Sequence, residues 1–156
     1  MIYYIQLLAC LVEEGKLTPV NPVEEKITYH DPCFLGRHNK VYTPPRSIID
    51  AVPGSQAEEM HRCKGKGFCC GAGGARFWME EKIGKRVNIE RTEEALGLDP
   101  DLISTACPFC MVMLTDAVTA KQADGTARES VQVLDVAQIL QQSLQPNPTT
   151  QPNPTT

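Results

Sequence analysis

The chain has 156 residues, of which 42% are apolar and 22% charged, and its formal net charge is −4. This composition suffices for one globular domain with one core of ordinary size. The negative charge excludes a nucleic-acid-binding protein that works by neutralising phosphates, which would be basic. No apolar run approaches the roughly 18–20 residues that a membrane span requires.

The chain opens with an amphipathic helical pattern that ends at Gly15, and its apolar stripe is Ile2, Ile5, Ala9 and Val12. Further apolar residues beside this stripe exceed what one buried face needs: Tyr3, Tyr4, Leu7, Leu8 and Leu11. We expect this surplus to meet a partner. No Lys or Arg precedes Lys16, so the pattern does not predict a signal peptide. We therefore expect a cytoplasmic protein that reaches a membrane only through a partner or a missing N-terminal part.

Strand and helix patterns then alternate along the chain. The predicted strands cover 26–30, 57–62, 102–106 and 131–134. The predicted helices cover 46–51, 76–96, 108–120 and 136–144, and a Gly-rich loop covers 64–75. Repeated strand–helix units predict an α/β fold, a Rossmann-like parallel sheet with helices on both faces. Sites in such folds collect at the carboxyl ends of the strands.

The last twelve residues differ from the rest, because 145–150 and 151–156 repeat the same hexapeptide, Gln-Pro-Asn-Pro-Thr-Thr. Alternating prolines block helices and strand ladders, and the repeat has nothing apolar to bury. The predicted organisation is therefore one domain over 1–144 followed by a disordered Pro-rich tail over 145–156.

Seven cysteines are the unusual feature: Cys10, Cys33, Cys63, Cys69, Cys70, Cys107 and Cys110. Their number is odd, and an adjacent pair with a C-x-x-C favours metal ligands in a reducing compartment over disulfides. Five of them follow predicted strands, in three separate loops. Thiolates suit iron–sulfur clusters and zinc, and helix N-terminal N–H groups can bond their sulfurs. We predict that these five converge at the carboxyl edge of the sheet.

The spacing of these five cysteines is similar to that of a known sequence motif. Cys33 is followed after 35 residues by Cys69-Cys70-Gly71, and 36 residues separate Cys70 from Cys107-Pro108-Phe109-Cys110. This pattern resembles the cysteine-rich CCG motif of the heterodisulfide reductase-like iron–sulfur oxidoreductases. The surrounding words in 30–37, 68–81 and 106–114 match as well, and the resemblance covers about residues 1–144. That family includes subunits of heterodisulfide reductases and of flavin- or quinone-linked lactate, glycolate and glycerol-3-phosphate oxidising systems.

The resemblance implies a cofactor and a role. In the family, the five motif cysteines bind a noncubane 4Fe–4S cluster, and the matching residues here are Cys33, Cys69, Cys70, Cys107 and Cys110. Such clusters transfer electrons, and in heterodisulfide reductases they also cleave a disulfide. In some relatives, one CCG copy holds zinc instead. The resemblance identifies no individual catalytic residue.

The chain also departs from the common family plan. Many members carry two CCG copies and a ferredoxin-like cysteine motif, whereas this sequence has one CCG copy and no ferredoxin pattern. The resemblance therefore implies a C-terminal fragment of a larger oxidoreductase that is not active alone. Its implied partners are a second CCG domain and a ferredoxin-like, flavin-linked or quinone-linked redox protein.

Two other functions remain open at this point. A structural zinc module would use four thiolates, but it leaves the fifth cysteine unexplained. A thiol–disulfide oxidoreductase would use Cys107 and Cys110, because C-P-x-C after a strand resembles the thioredoxin motif. Against it, the motif comes late in the chain, and no proline follows Pro108 before Pro146.

The remaining candidates are assigned simpler roles. Cys10 is predicted to be a small buried apolar residue. Cys63 lies between Arg62 and Lys64, a basic setting that would lower the pKa of its thiol. It lies outside the motif spacing, so we predict that it is not a ligand. His30 is predicted to have a structural role, because five thiolates already supply the site.

Overall fold

The computed structural model describes residues 2–79 and 83–144, so the predicted tail lies outside the described residues. The helices are α1 (Tyr4–Glu13), α2 (Thr43–Ala51), α3 (Val87–Leu96), α4 (Pro108–Ala123) and α5 (Val136–Ser143). The strands are β1 (Lys26–Tyr29), β2 (Gln56–Glu58), β3 (Leu102–Thr105) and β4 (Gln132–Asp135). Every helix in this part of the chain is too short or too polar to cross a bilayer.

The four strands form one parallel sheet in the order β2-β1-β3-β4. Successive residues of β3 point to opposite faces, so Leu102 packs with α1, α2 and α5, while Ile103 packs with α3 and α4. Helices therefore cover both faces, and the predicted α/β fold class is confirmed.

The centre of the sheet is a point where the chain diverges. β1 and β3 are neighbours, but α2 follows β1 on one face and α4 follows β3 on the other. Such divergence opens a crevice at the carboxyl ends of the two strands. The His30 N–H donates a hydrogen bond of 2.7 Å to the Ser104 carbonyl, so β1 and β3 end next to each other.

The helix predicted over 76–96 is wrong over the described residues 76–79 and 83–86, because α3 begins only at Val87. Arg76–Trp78 forms a single 3-10 turn, and Gly84 has a φ of +71°, which is incompatible with a right-handed helix. Trp78 and Ile83 are 81% and 94% exposed. These exposed side chains provide no apolar face whose burial would stabilise a helix.

The first helix follows the predicted stripe at Ile5 and Ala9, which are buried. Ile2 is exposed, and Cys10 is also exposed, so the prediction of a buried Cys10 is wrong. One residue along a helix is a rotation of about 100°, which carries Cys10 off the face that holds Ala9.

The loop that follows β1 is fixed by a buried carboxylate. Arg46 of α2 donates two hydrogen bonds of 2.9 Å to Asp31, one to each oxygen, and a further one of 2.8 Å to Glu59. The backbone N–H of Lys64 donates to the same Asp31 at 2.7 Å. Asp31 therefore connects the loop that carries Cys33 both to α2 and to Lys64, the first residue of the Gly-rich loop.

We expect Arg46→Met to lower the free energy of unfolding by about 3 kcal/mol, because it leaves the buried Asp31 carboxylate without its counter-ion. Arg128→Met is the matched control, since Arg128 also forms ion pairs with two aspartates but is 45% exposed. Urea unfolding of both variants checks this expectation. Equal losses of stability would show that the Asp31 pair is no more important than a surface pair.

The Gly-rich loop packs closely on two helices at one glycine. Gly71 has a φ of +93°, and a Cβ there would lie 3.2 Å from the Asn88 nitrogen and 3.3 Å from the Met113 Cε. Gly73 has open space around its Cα and no positive φ. Only the first of these two positions therefore requires glycine.

Gly71→Ala should accordingly cost about 2 kcal/mol of stability, through backbone strain and a clash with the start of α3. Gly73→Ala should stay within about 0.5 kcal/mol of the parent chain. Thermal unfolding of the two metal-free variants measures both effects. A destabilised Gly73→Ala together with a neutral Gly71→Ala would contradict the close packing described for Gly71.

Candidate metal centre

Two buried thiols form the centre of the site. Cys70 comes from the Gly-rich loop and Cys110 from the first turn of α4, and both are almost inaccessible to water. Together with His30 at the end of β1, they offer ligand atoms that all lie within 4.8 Å of one another. The crevice between β1 and β3 thus brings together three segments that are far apart in the sequence.

The other two cysteines of these loops flank this pair. Cys69 contacts Cys70 and accepts a hydrogen bond of 3.3 Å from the Gly71 N–H, while Cys107 contacts Cys110. The four sulfurs therefore form a continuous row in the order Cys69, Cys70, Cys110, Cys107. Cys69 and Cys107 are half-buried, so the two ends of the row are more accessible than its centre.

The row stabilises negative charge at two of its members. Hydrogen bonds from the Cys110 and Cys69 thiols lower the pKa of Cys70 far below that of a free thiol. The Cys110 thiol and the N–H groups of Cys110 and Phe109 lower the pKa of Cys107 to about 6, although burial opposes this. Donating those hydrogen bonds raises the pKa values of Cys69 and Cys110. In each of these contacts the donating thiol keeps its proton more firmly, and the accepting sulfur is the easier one to ionise.

Cys33 lies at the edge of this arrangement. It is exposed and shares with Cys69 a small cavity of about 40 Å³, lined also by Arg37 and Lys64. It is near enough for its charge to raise the pKa of Cys69. The structure thus places four of the five predicted cysteines in contact with one another and the fifth, Cys33, beside them at this cavity.

Cys63 lies outside the row, and its chemical setting differs from the expectation. Its pKa is raised by burial and by the nearby Glu59, whereas the sequence predicted a lowered value. The adjacent Arg62 does not offset this, because its guanidinium pairs with Glu90 and Glu94 of α3. The prediction of a lowered pKa at Cys63 is therefore wrong.

His30 and Arg91 also belong to the site, although the sequence assigned His30 only a structural role and did not single out Arg91. His30 is fully buried, and its Nδ1 accepts a hydrogen bond of 2.9 Å from Nε of the equally buried Arg91. Burial lowers the pKa of His30, and the charge of Arg91 acts in the same direction. The position of His30 at the end of a predicted strand was a usable signal, but an arginine within a charged helix gave none.

Comparison with known proteins gives three informative relatives. The chain is 49% identical over 142 residues to the "Probable iron-sulfur-binding oxidoreductase FadF" of Bacillus subtilis, covering 91% of this chain and 20% of that protein. It is 47% identical over 150 residues to the EtfAB:quinone oxidoreductase of Syntrophomonas wolfei, covering 92% and 20%. It is 35% identical over 134 residues to one of the subunits of the dihydromethanophenazine:CoB–CoM heterodisulfide reductase of Methanosarcina barkeri, covering 86% and 33%.

The chain thus spans only 20% to 33% of the length of these relatives. The model of one family, the cysteine-rich domain CCG, matches residues 27–115, which is more than half of the chain. That match begins within β1, includes the whole crevice and ends within α4. The sulfur row, the sheet that positions it and this match agree, and the chain belongs to the cysteine-rich CCG domain family.

Proposed function

We propose that this chain is the iron–sulfur cluster-binding electron-transfer domain of a heterodisulfide reductase-like oxidoreductase. The observation that carries the proposal is the row of four sulfurs, half of it buried, with Cys33 beside it. The proposed ligands are Cys33, Cys69, Cys70, Cys107 and Cys110, and the proposed cofactor is a noncubane 4Fe–4S cluster. When bound, the cluster would supply one-electron redox chemistry.

The donor set fits such a cluster better than it fits zinc. Structural zinc takes four ligands in a tetrahedron, whereas here a fifth thiol, Cys33, lies beside the row of four, and two of the row are sequence neighbours, Cys69 and Cys70. The surrounding backbone also supplies donors to sulfur, from Gly71 to Cys69 and from Phe109 to Cys107. Donors of this kind offset the negative charge of thiolates and sulfide.

A different set of contacts positions each of the three loops that carry the cysteines. Asp31 fixes the loop of Cys33, the close packing of Gly71 fixes the adjacent pair, and Pro108 begins the helix that carries Cys110. Each loop is therefore positioned by contacts that do not involve a cofactor. The buried inner sulfurs exclude water from one side of the site, and Cys33 leaves the other side accessible.

One observation favours a second function in the metal-free chain. The pKa of Cys107 is lowered to about 6, and its partner Cys110 is buried one turn along the helix. This is the arrangement of a thiol–disulfide oxidoreductase, in which the outer thiolate attacks. The contact of Cys110 with Cys70 weighs against it, because a second buried thiol would compete for the disulfide.

Metal analysis of the anaerobically purified chain separates these functions, and cysteine substitutions identify the ligands. We expect iron with acid-labile sulfide. Cys70→Ser and Cys107→Ser should each lose most of the visible iron–sulfur absorption, because a hydroxyl is a poorer ligand for iron.

Cys10→Ser is the matched control and should keep the absorption of the parent chain, because Cys10 is exposed on α1. Zinc without sulfide, or no metal, would contradict the proposal. Equal losses in all three variants would show that misfolding rather than ligation is being measured.

We further propose that the domain works as one module beside a redox partner, and that this partner is a second CCG domain. An apolar pocket of about 110 Å³ opens next to Cys107, and Tyr4 and Phe34 are exposed at its rim. Phe109 extends this surface toward Phe77. Of the surplus apolar residues predicted on the first helix, Tyr4 and Leu7 are exposed, whereas Tyr3 and Leu8 pack partly against the core.

The purified chain should accordingly hold at most one cluster and show no turnover of lactate, glycolate or glycerol 3-phosphate with an artificial electron acceptor. Oxidation of each of these alcohols removes two electrons, whereas a single cluster supplies one-electron chemistry. Steady-state assays at a known cluster content provide the measurement. Oxidation of any of the three substrates by the chain alone would contradict the modular proposal.

A further inference from the structure

The buried His30 contacts the centre of the sulfur row without belonging to the cysteine motif. Its ring lies between Arg91 on one side and the Cys70 and Cys110 sulfurs on the other. A histidine in this position can be a metal ligand through a lone pair, or it can donate a hydrogen bond to sulfur. These two roles require opposite protonation states of the same nitrogen, Nε2.

The contact with Arg91 decides between the two roles. A guanidinium only donates hydrogen bonds, so the ring atom 2.9 Å from Arg91 Nε must be an accepting nitrogen. That nitrogen is Nδ1, and it carries no proton. In the neutral imidazole the single proton therefore resides on Nε2.

Arg91 is itself held in place by other groups. Its Nη1 donates to Glu94 at 2.8 Å and to the Arg62 carbonyl at 3.0 Å, and its side chain is completely buried. The backbone of His30 is fixed as well, since its carbonyl accepts a hydrogen bond from Thr105 Oγ1. The imidazole ring therefore has little freedom to turn over.

The Nε2 atom has no hydrogen-bond partner of normal geometry within residues 2–79 and 83–144. It is completely buried, so water does not provide a partner either, and an unpaired buried N–H is costly. Because Nδ1 is taken by Arg91, Nε2 is the ring nitrogen left for the Cys70 and Cys110 sulfurs, which belong to the same group of ligand atoms within 4.8 Å. Of these two sulfurs, Cys70 is the one in side-chain contact with His30. A thiolate or a metal-bound sulfur at Cys70 would accept this N–H.

We propose that His30 is a positioning residue that donates its Nε2–H to the Cys70 sulfur, with Arg91 fixing the tautomer, and that it is not a metal ligand. This inference rests on the proposed function for its redox consequence. A hydrogen bond to a cluster sulfur stabilises the reduced, more negative state, so His30 raises the reduction potential of the cluster.

The first test uses the metal-free chain and needs no cluster. Two-bond proton–nitrogen NMR correlations of the reduced, ¹⁵N-labelled full chain report which ring nitrogen of each histidine is protonated, and His30→Gln assigns the signal. We expect a proton on Nε2 and none on Nδ1. A proton on Nδ1, with a lone pair on Nε2 facing the thiols, would overturn the inference.

The second test uses the reconstituted protein and three variants. His30→Leu should keep the iron and sulfide content of the parent chain and shift the midpoint potential to more negative values. We expect at least a tenfold change in the reduction equilibrium, about 59 mV for one electron. His30→Gln should recover part of the shift, because its amide supplies an N–H. His61→Leu is the matched control, since His61 is exposed, and it should leave the potential unchanged.

The outcomes separate this inference from the proposed function. An unchanged potential in a fully loaded His30→Leu would overturn the hydrogen bond to sulfur. A loss of iron as severe as in Cys70→Ser, with folding intact, would identify His30 as a ligand and overturn the inference too. If the parent chain binds no cluster, the proposed function fails, and the tautomer measured in the metal-free chain still decides the role of His30.

Discussion

A thiolate at the buried Cys70 would have to recover, from the protein, the solvation that it loses when water is excluded, and the site is arranged around that constraint. The cost of an uncompensated buried charge is several kcal/mol. Around Cys70 the compensation comes from the neighbouring thiols, from the Ala72 N–H and from the ring of His30. At Cys107, the first N–H groups of α4 supply the same help. These donors come from separate segments, so the fold must bring the segments together before the site can exist.

The doubly wound topology provides that convergence. The divergence between β1 and β3 opens a crevice at the carboxyl edge of the sheet, and residues after each strand project into it. Small zinc modules fold only when metal binds, because nothing else holds their ligands. Here the ligand loops are held by Asp31 with Arg46, by the packing of Gly71 and by α4, while two cores support the sheet from either face. Contacts between protein groups therefore position all three loops.

Much of this arrangement could be predicted from the sequence. Alternation of strand and helix patterns predicted the parallel sheet, and the position of the cysteines after strands predicted the edge at which they meet. The first signal is a local periodicity in the sequence. The second follows from the shared direction of parallel strands, which places residues after each strand at one edge of the sheet. The misplaced helix over 76–96 had the composition of a helix but no apolar face in its first half, and Gly84 interrupts it. The predicted lowering of the Cys63 pKa was wrong for another reason. The neighbours of Cys63 along the chain are cations, whereas its neighbour in space is Glu59.

The pairing of His30 with Arg91 shows why part of the site escapes sequence analysis. The two residues are 61 positions apart, and Arg91 sits in a helix whose charged composition predicts a solvated face. After folding, Glu94, the Arg62 carbonyl and His30 accept hydrogen bonds from its buried guanidinium. Buried charges that support a site are thus recognisable by their partners, and partners are a property of the tertiary structure. The cysteines of this centre follow a motif in the sequence, whereas His30 and Arg91 meet beside them only through the packing of the folded chain.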